Sequence, residues 1–213
     1  MLSRGRSLAA ECGVIFATFA LGAFLARAWV VEARFIPSGS MRPTLEVGDR
    51  LLVDKLTPCW RLPRRGEVVV CRPPVPLPGL GPALVKRVVG LPGERLRIRG
   101  QRLWVNGSPL AEPWGAAPIG YPEPDWGALG MPGGVVPPDA LFVLGDNRGD
   151  STDSHVFGPV PVTCLIGRAV LRVWPLDRFG ALSRGPAARV AGRAPGKVRR
   201  IRISAGNPGG ALV

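Results

Sequence analysis

Histidine is nearly missing from this chain of 213 residues, and no metal-binding spacing occurs in it. His155 is the single histidine, and the four cysteines, Cys12, Cys59, Cys71 and Cys164, form neither a CxxC pair nor a Cys/His cluster. Structural and catalytic zinc sites need several such ligands at characteristic spacings, so the sequence predicts no metal site. Cys12 falls in an apolar segment, and spacing leaves open whether any of the other three cysteines pair.

Lysine is also scarce: three of the 28 basic residues are lysines, namely Lys55, Lys86 and Lys197. Arginine stays protonated in proteins, whereas a lysine removed from water can become a neutral amine. Lys86 stands in the apolar run Val85-Lys86-Arg87-Val88-Val89, where burial would lower its pKa, as a general base requires. The alternative is a lysine on an exposed sheet edge, where its charge discourages edge pairing. Lys55, next to a turn, is interpreted as a surface residue.

Acidic residues are missing from the C-terminal segment, which is strongly basic. The net charge of the chain is +13, and residues 178–213 contain eight arginines and lysines and no acid. Phe179 is their single aromatic residue, so bases have little to stack on and nucleic-acid binding is not expected. The segment is rich in Gly, Ala and Pro and is predicted to be a basic, disordered tail. Contact with anionic membrane lipid is the second interpretation.

Apolar residues concentrate near the N-terminus. Arg4 and Arg6 precede a largely apolar run from Leu8 to Val31, close to the about 20 residues that span a bilayer. We therefore predict a membrane anchor over residues 1–33, with the N-terminus in the cytoplasm because flanking basic residues stay on that side. A cleavable signal peptide ending at Ala26-Arg27-Ala28 is the alternative, but the apolar pattern continues beyond it.

After the apolar segment, short aliphatic runs alternate with turn residues, which is typical of a β-rich domain. A chain of this length buries one substantial core, so we predict one mainly β domain over residues 34–177. Asn106-Gly107 predicts a tight hairpin, and the Pro/Gly-rich stretch around 109–138 predicts an irregular insertion. The predicted strands are Leu51–Asp54, Val68–Cys71, Leu84–Val89, Leu96–Ile98, Leu103–Val105, Ala140–Leu144 and Ile166–Trp174.

Two polar segments have the composition of a reactive site. Between residues 37 and 45 a glycine lies between two serines, with prolines on either side. Glycine permits a tight turn and proline fixes its own φ, so this segment can hold a hydroxyl outward in one direction. Residues 145–155 follow a predicted strand and are mostly small and polar, which predicts a hydrogen-bonded loop. A calcium loop is the alternative, but no Glu follows at the EF-hand spacing.

In combination, these segments resemble type I signal peptidases, the membrane-anchored serine proteases that remove signal peptides from exported proteins. The resemblance implies a mainly β fold, with a signal-peptidase-like β-sheet or barrel catalytic domain and one N-terminal transmembrane helix. It leaves out residues 95–139 and those after Asp177. Besides the apolar segment, it is carried by Pro37-Ser38-Gly39-Ser40-Met41-Arg42-Pro43-Thr44-Leu45, Gly48-Asp49, Gly66-Glu67-Val68-Val69-Val70, Lys86-Arg87-Val88-Val89-Gly90-Leu91-Pro92-Gly93, Gly145-Asp146-Asn147-Arg148 and Ser151-Thr152-Asp153-Ser154.

The resemblance also implies roles for three serines and one lysine. Ser40 corresponds to the nucleophile and Lys86 to the general base of a Ser/Lys dyad. Ser38 corresponds to the side-chain donor of the oxyanion hole, and Ser151 to the serine that orients the lysine amine. The chemistry agrees, because a serine hydroxyl becomes a strong nucleophile when a neutral amine takes its proton. Each preorganised oxyanion donor contributes about 2.7–4 kcal/mol.

Three charged residues correspond to supporting positions of the family. Asp146 and Arg87 match an ion pair that braces the site, and Asp153 matches a supporting carboxylate. His155 stands where the family commonly has an arginine paired with that carboxylate, so this brace is expected to be weaker or pH-dependent here. His155 also leaves open a Ser40–His155–Asp153 triad, although its last two members are unusually close in sequence.

The resemblance further implies substrates and partners. These are the signal peptides of exported preproteins, cut after small residues of the Ala-x-Ala type, together with membrane lipid and the protein export machinery. No cofactor, metal or nucleotide is implied, and the catalytic domain is expected on the extracytoplasmic side. Two rivals remain: a non-enzymatic membrane protein whose basic tail binds lipid or nucleic acid, and a self-cleaving Ser/Lys regulator. The anchor and the lack of a DNA-binding segment disfavour the second.

Overall fold

The computed structural model describes residues 10–19, 22, 31–76 and 81–182. Residues 10–19 are helical, and no helix in these ranges is both long and apolar enough to cross a bilayer. Most of the predicted anchor, residues 1–33, lies outside the described residues. Its predicted end falls inside a β-strand, Val31–Phe35, because these residues pair with Arg50–Asp54.

The described chain is mainly β, as the sequence predicts. Apart from the helical residues 10–19, its described helices, α1 and α2, have four residues each, and four short 3-10 turns accompany them. The helices are α1 (Thr57–Trp60) and α2 (Ser154–Phe157), and the 3-10 turns are Gly39–Met41, Pro132–Gly134, Val162–Cys164 and Leu176–Arg178. The strands are β1 (Val31–Phe35), β2 (Arg50–Asp54), β3 (Val68–Cys71), β4 (Leu84–Gly90), β5 (Leu96–Arg99), β6 (Arg102–Val105), β7 (Ser108–Pro109), β8 (Ala140–Leu144), β9 (Val160–Pro161), β10 (Leu165–Trp174) and β11 (Gly180–Ala181).

The strands form two antiparallel sheets. The larger sheet has the order β1-β2-β10-β3-β4-β8-β9, with β11 paired to β10, and the smaller one has the order β5-β6-β7. Strand β4 therefore lies inside the larger sheet, with β3 on one side and β8 on the other. The interpretation of Lys86 as an edge lysine is wrong for this reason.

The predicted hairpin at Asn106-Gly107 is confirmed. Val105 pairs with Ser108, so Asn106 and Gly107 form the whole turn between β6 and β7. Both have positive φ, 51° and 84°, as this tight hairpin turn requires, and Asn and Gly tolerate that conformation best.

The Pro/Gly-rich stretch is irregular as predicted, but it also belongs to the core. Between β7 and β8 it buries Trp114, Ile119, Trp126 and Met131 against the strands of both sheets. Large aromatic side chains bury much apolar area each, which holds a segment in place where strand pairing is sparse. The Pro/Gly-rich composition predicted the irregular backbone of this stretch but not the burial of its large side chains.

The predicted tail begins too early. Residues 178–182 belong to the fold, since Leu171 pairs with Ala181, Arg172 pairs with Gly180, and Arg178 forms an ion pair with Asp49 at 3.0 Å. This pairing satisfies backbone groups of β10 that water would otherwise have to reach. The rest of the predicted tail, residues 183–213, lies outside the described residues. The four cysteines are free thiols.

Candidate active site

The serine segment, residues 37–45, follows β1 and contains the 3-10 turn Gly39–Met41. Met41 and Leu45 are buried at 1% and 0% exposure, and they fasten the turn to the core beneath it. Ser40 is half-buried, and its hydroxyl lies 3.4 Å from that of Ser38. Apolar anchors below and hydroxyls above give the segment a fixed polar rim.

The loop after β8 is hydrogen-bonded to this turn. The backbone N–H of Asn147 donates to the Ser40 carbonyl at 3.1 Å, and its side-chain amide donates to the Gly39 carbonyl at 3.2 Å. A Cβ on Gly145 would come within 2.5 Å of the Ser40 carbonyl oxygen and closer still to Ser151 Oγ. The two segments therefore meet at van der Waals distance, and Gly145 must remain glycine for them to do so.

Lys86 projects from β4 into the same region. Lys86 is 3% exposed and pairs with Val69 of the neighbouring strand β3. Its Nζ donates a hydrogen bond to Ser151 Oγ at 3.0 Å. Burial lowers the pKa of the Lys86 amine below its ordinary value, while the negative charge of Asp153 works in the opposite direction. This is the environment in which a lysine amine can be neutral and accept a proton.

Asp153 connects the loop from within. It is fully buried, and its Oδ2 accepts hydrogen bonds from Ser151 Oγ at 2.5 Å and from the Gly145 N–H at 2.8 Å. Its Oδ1 lies 2.8 Å from Nδ1 of His155, whose ring stacks on Tyr121 with centroids 4.0 Å apart. Asp153 thereby fixes the serine that contacts the lysine amine.

Arg87 and Asp146 meet on the opposite face of β4. Arg87 is fully buried, and its Nε and Nη2 donate to the two oxygens of Asp146 at 2.8 and 2.6 Å. Thr44 Oγ1 donates to Asp146 Oδ2 at 2.6 Å, and Arg87 Nη1 donates to the Gly66 carbonyl at 2.7 Å. The guanidinium also lies over the ring of Trp114, 4.7 Å from its centroid.

A groove of ≈ 630 Å³ exposes the reactive groups to solvent. One wall is residues 34–41 and the other is residues 81–86, so the groove runs between two extended chain segments. Ser38, Ser40 and Lys86 line it, whereas His155 is not among its lining residues. The groove can hold an extended peptide with its carbonyl near two hydroxyls and a buried amine.

The structure thus brings all the predicted site residues into two adjoining clusters. Ser38, Ser40 and Lys86 line the groove. Ser151 contacts the Lys86 amine and is held by Asp153, while Arg87 and Asp146 brace the neighbouring face. Sequence reasoning gave no role to Gly145, Asn147, Thr44 or Tyr121. The first three lie inside motifs already singled out, but Tyr121 carries no local signal.

Comparison with known proteins identifies the family of the chain. Residues 9–174 match the sequence profile of the family described as signal peptidase, peptidase S26, and the chain belongs to this family. The chain is 47% identical to the signal peptidase I of Leptolyngbya laminosa, over 76% of this chain and 77% of that one. It is 42% identical to the probable signal peptidase I-2 of Synechocystis, over 81% and 77% of the two chains.

A crystal structure of a signal peptidase I from Enterococcus faecalis also aligns with the chain. The alignment covers 51% of this chain and 97% of that one, at 28% identity and a TM-score of 0.41. Both relatives from Leptolyngbya and Synechocystis are named as signal peptidases, and the non-enzymatic alternative has no support.

Proposed function

We propose that this protein is a serine endopeptidase that removes signal peptides from exported preproteins, with Ser40 as nucleophile and Lys86 as general base. One observation carries the assignment of these residues: a lysine at 3% exposure, hydrogen-bonded to a serine, opens into the groove that Ser40 lines. Membership of the signal peptidase family supports the substrate class. His155 is not among the residues that line the groove, which favours this dyad over a Ser40–His155–Asp153 triad.

The proton transfers follow from the groups present. Neutral Lys86 takes the proton of Ser40 Oγ as this oxygen bonds to the scissile carbonyl carbon, and the carbonyl oxygen becomes an oxyanion. The hydroxyl of Ser38 and the N–H of Ser40 stabilise that oxyanion. The Lys86 ammonium then protonates the leaving amine. Lys86 next takes a proton from water as the water oxygen bonds to the acyl carbon, and it returns this proton to Ser40 Oγ when the ester bond breaks. Ser151 keeps the amine directed at these positions throughout.

The shape of the groove supports small residues in the substrate. Ile36, Met41, Val70 and Leu84 contribute apolar walls beside Ser40, and the two chain segments offer backbone groups for pairing with an extended peptide. Alanine at the −1 and −3 positions, as in Ala-x-Ala, suits such a groove.

We further propose that residues 1–33 anchor the enzyme, with the catalytic domain on the extracytoplasmic side of the cell membrane. Paired strand positions place Phe35, Arg50 and Trp174 next to one another, and the two aromatic residues are 59% and 51% exposed. Exposed aromatic residues beside a cation suit the bilayer interface. Membrane lipid and the export machinery are the partners that such a location implies.

The test is cleavage of a purified preprotein in detergent at mildly alkaline pH by the wild type, Ser40→Ala, Lys86→Ala and His155→Ala. We expect release of the mature protein by the wild type and His155→Ala, and a loss of at least about 10²-fold in the other two. Activity of Lys86→Ala with loss in His155→Ala would replace the dyad by the triad. An inactive wild type in the presence of lipid would refute the proposed function.

A further inference from the structure

His155 is held by contacts from two separate parts of the chain. Its backbone N–H and its Nδ1 both meet Asp153 Oδ1, at 3.2 and 2.8 Å, so the first turn of α2 fixes the imidazole edge. Tyr121, from the irregular stretch between β7 and β8, stacks on the ring face at 4.0 Å with an angle of 12° between the planes. The side chain is 19% exposed, so the ring has little freedom to turn away.

The same carboxylate leads to the catalytic lysine. Asp153 Oδ2 accepts the hydrogen bond of Ser151 Oγ at 2.5 Å, and that hydroxyl oxygen accepts from Lys86 Nζ at 3.0 Å. An unbroken series of contacts thus runs from His155 through Asp153 and Ser151 to Lys86. Histidine is the side-chain type that ordinarily changes charge near neutral pH.

We propose that His155, held between Tyr121 and Asp153, is a positioning residue that acts through Asp153 and Ser151 on the amine of Lys86. This inference rests on the proposed function, in which Lys86 is the general base. It assigns a role in the reaction to a side chain that does not line the groove. It also gives the irregular stretch, through Tyr121, a part in supporting the site.

The shared carboxylate sets the sign of the effect. Burial lowers the pKa of Lys86, and Asp153 is the strongest of the charges that oppose this and favour the ammonium. An imidazolium at His155 partly neutralises the negative charge of Asp153. Asp153 then stabilises the Lys86 ammonium less. Protonation of His155 therefore favours the neutral, basic form of Lys86, and the coupling is reciprocal.

The other charges around this pair do not provide the same effect. Burial raises the pKa of the Tyr121 phenol, so the stacked ring stays neutral. Near it, Arg148 and Glu112 form an ion pair with each other. The other groups that act on the amine are Cys71, Asp150 and Asp146. Burial raises the pKa of the Cys71 thiol to about 12, so this thiol stays neutral, and Asp146 is bonded to an arginine. His155 is therefore the group through which pH can change the pull of Asp153.

The experiment measures kcat and KM for cleavage of a signal-peptide substrate from roughly pH 5 to 10, which spans the ordinary titration of histidine and lysine. His155→Gln keeps a donor but cannot become cationic, and His155→Arg is always cationic. Arg99→Gln, an exposed cation on the smaller sheet, is the matched control for the loss of a positive charge.

We expect His155→Gln to match the wild type at the alkaline end and to lose kcat progressively as pH falls, by about 5- to 10-fold at the acid end. KM should not change, because His155 does not line the groove. His155→Arg should retain kcat at the acid end. An equal loss in both variants at every pH, an effect confined to KM, or no difference from Arg99→Gln would each overturn the inference.

Thermal unfolding separates folding effects from this role. If His155→Gln unfolds at a lower temperature than the wild type, Tyr121→Leu provides the second variant, since it leaves the histidine in place and removes the ring stacked on it. The acid side of the kcat–pH profile of Tyr121→Leu should also shift. An unchanged profile counts against the inference. Ser40→Ala in the same assay keeps the two conclusions apart. Cleavage by the wild type and not by Ser40→Ala, with a normal His155→Gln profile, refutes this inference and leaves the proposed function standing. An inactive wild type refutes both.

Discussion

The two faces of strand β4 each bury a basic side chain, and the partners of the two side chains differ. Successive residues of a strand point to opposite faces, so Lys86 and Arg87 enter different environments although they are neighbours in sequence. Arg87 receives a buried carboxylate, a threonine hydroxyl, a carbonyl and an aromatic ring. Lys86 receives one serine hydroxyl at 3.0 Å and the edge of a groove.

The difference shows how one strand separates structure from chemistry. A guanidinium cannot lose its proton, so its burial requires full compensation by a carboxylate and by hydrogen bonds. An ammonium can become neutral, so burial with a hydroxyl partner shifts it towards the amine instead. The Arg87 face is therefore expected to carry stability, and the Lys86 face to carry activity at some cost in stability.

The largest expected effect is on activity, at Lys86→Met. This change should lower kcat by about 10³-fold, because no base remains to take the Ser40 proton. It should not unfold the enzyme. Burial makes the pKa of Lys86 lower in the native state than in the unfolded chain. At pH values between these two pKa values the unfolded state binds more protons, so the lysine lowers the free energy of unfolding.

Stability should consequently change in a pH-dependent way in Lys86→Met. The unfavourable contribution of the wild-type lysine grows as pH falls through the unfolded pKa and is complete below the native one. The variant should therefore have a higher free energy of unfolding at neutral pH and a smaller rise of that free energy towards alkaline pH. Denaturant unfolding at several pH values measures this, and a clear loss of stability at neutral pH would contradict the comparison.

The next effect concerns stability at Asp146→Asn. This change removes the buried carboxylate that accepts two hydrogen bonds from Arg87 and should lower the free energy of unfolding by about 3–5 kcal/mol. Replacing both partners, as in Arg87→Met with Asp146→Leu, should recover much of the loss because neither charge of this pair is then left buried. Glu46→Gln is the matched control: it breaks an exposed pair with Arg42, and such pairs contribute about 0–1 kcal/mol. Equal effects in the control and in Asp146→Asn would refute the assignment.

How far the sequence predicts this arrangement depends on the range of the contacts. Seven strands, the Asn106-Gly107 turn and the buried position of Lys86 follow from local patterns, and the ends of those strands shift by at most one residue. The contact of His155 with Tyr121 could not be predicted, because these residues are far apart in the chain and Tyr121 lies in a stretch without periodicity. Strand β11 was missed because pairing with β10, rather than local propensity, orders it.

The smallest expected effect tests the third partner on the Arg87 face. Thr44 belongs to the serine segment, and its hydroxyl donates to Asp146 at 2.6 Å and accepts from Arg87 Nη2 at 3.1 Å. Thr44→Val keeps the shape and removes both bonds, so the free energy of unfolding should fall by about 2 kcal/mol, as for hydrogen bonds to charged groups. Thr44→Ser should restore most of it. Since the same hydroxyl ties the serine segment to the brace, kcat of Thr44→Val should fall less than about 10-fold. A loss comparable to that of Lys86→Met would mean that the two faces of β4 are not separate, and that the ion pair acts directly in the chemistry.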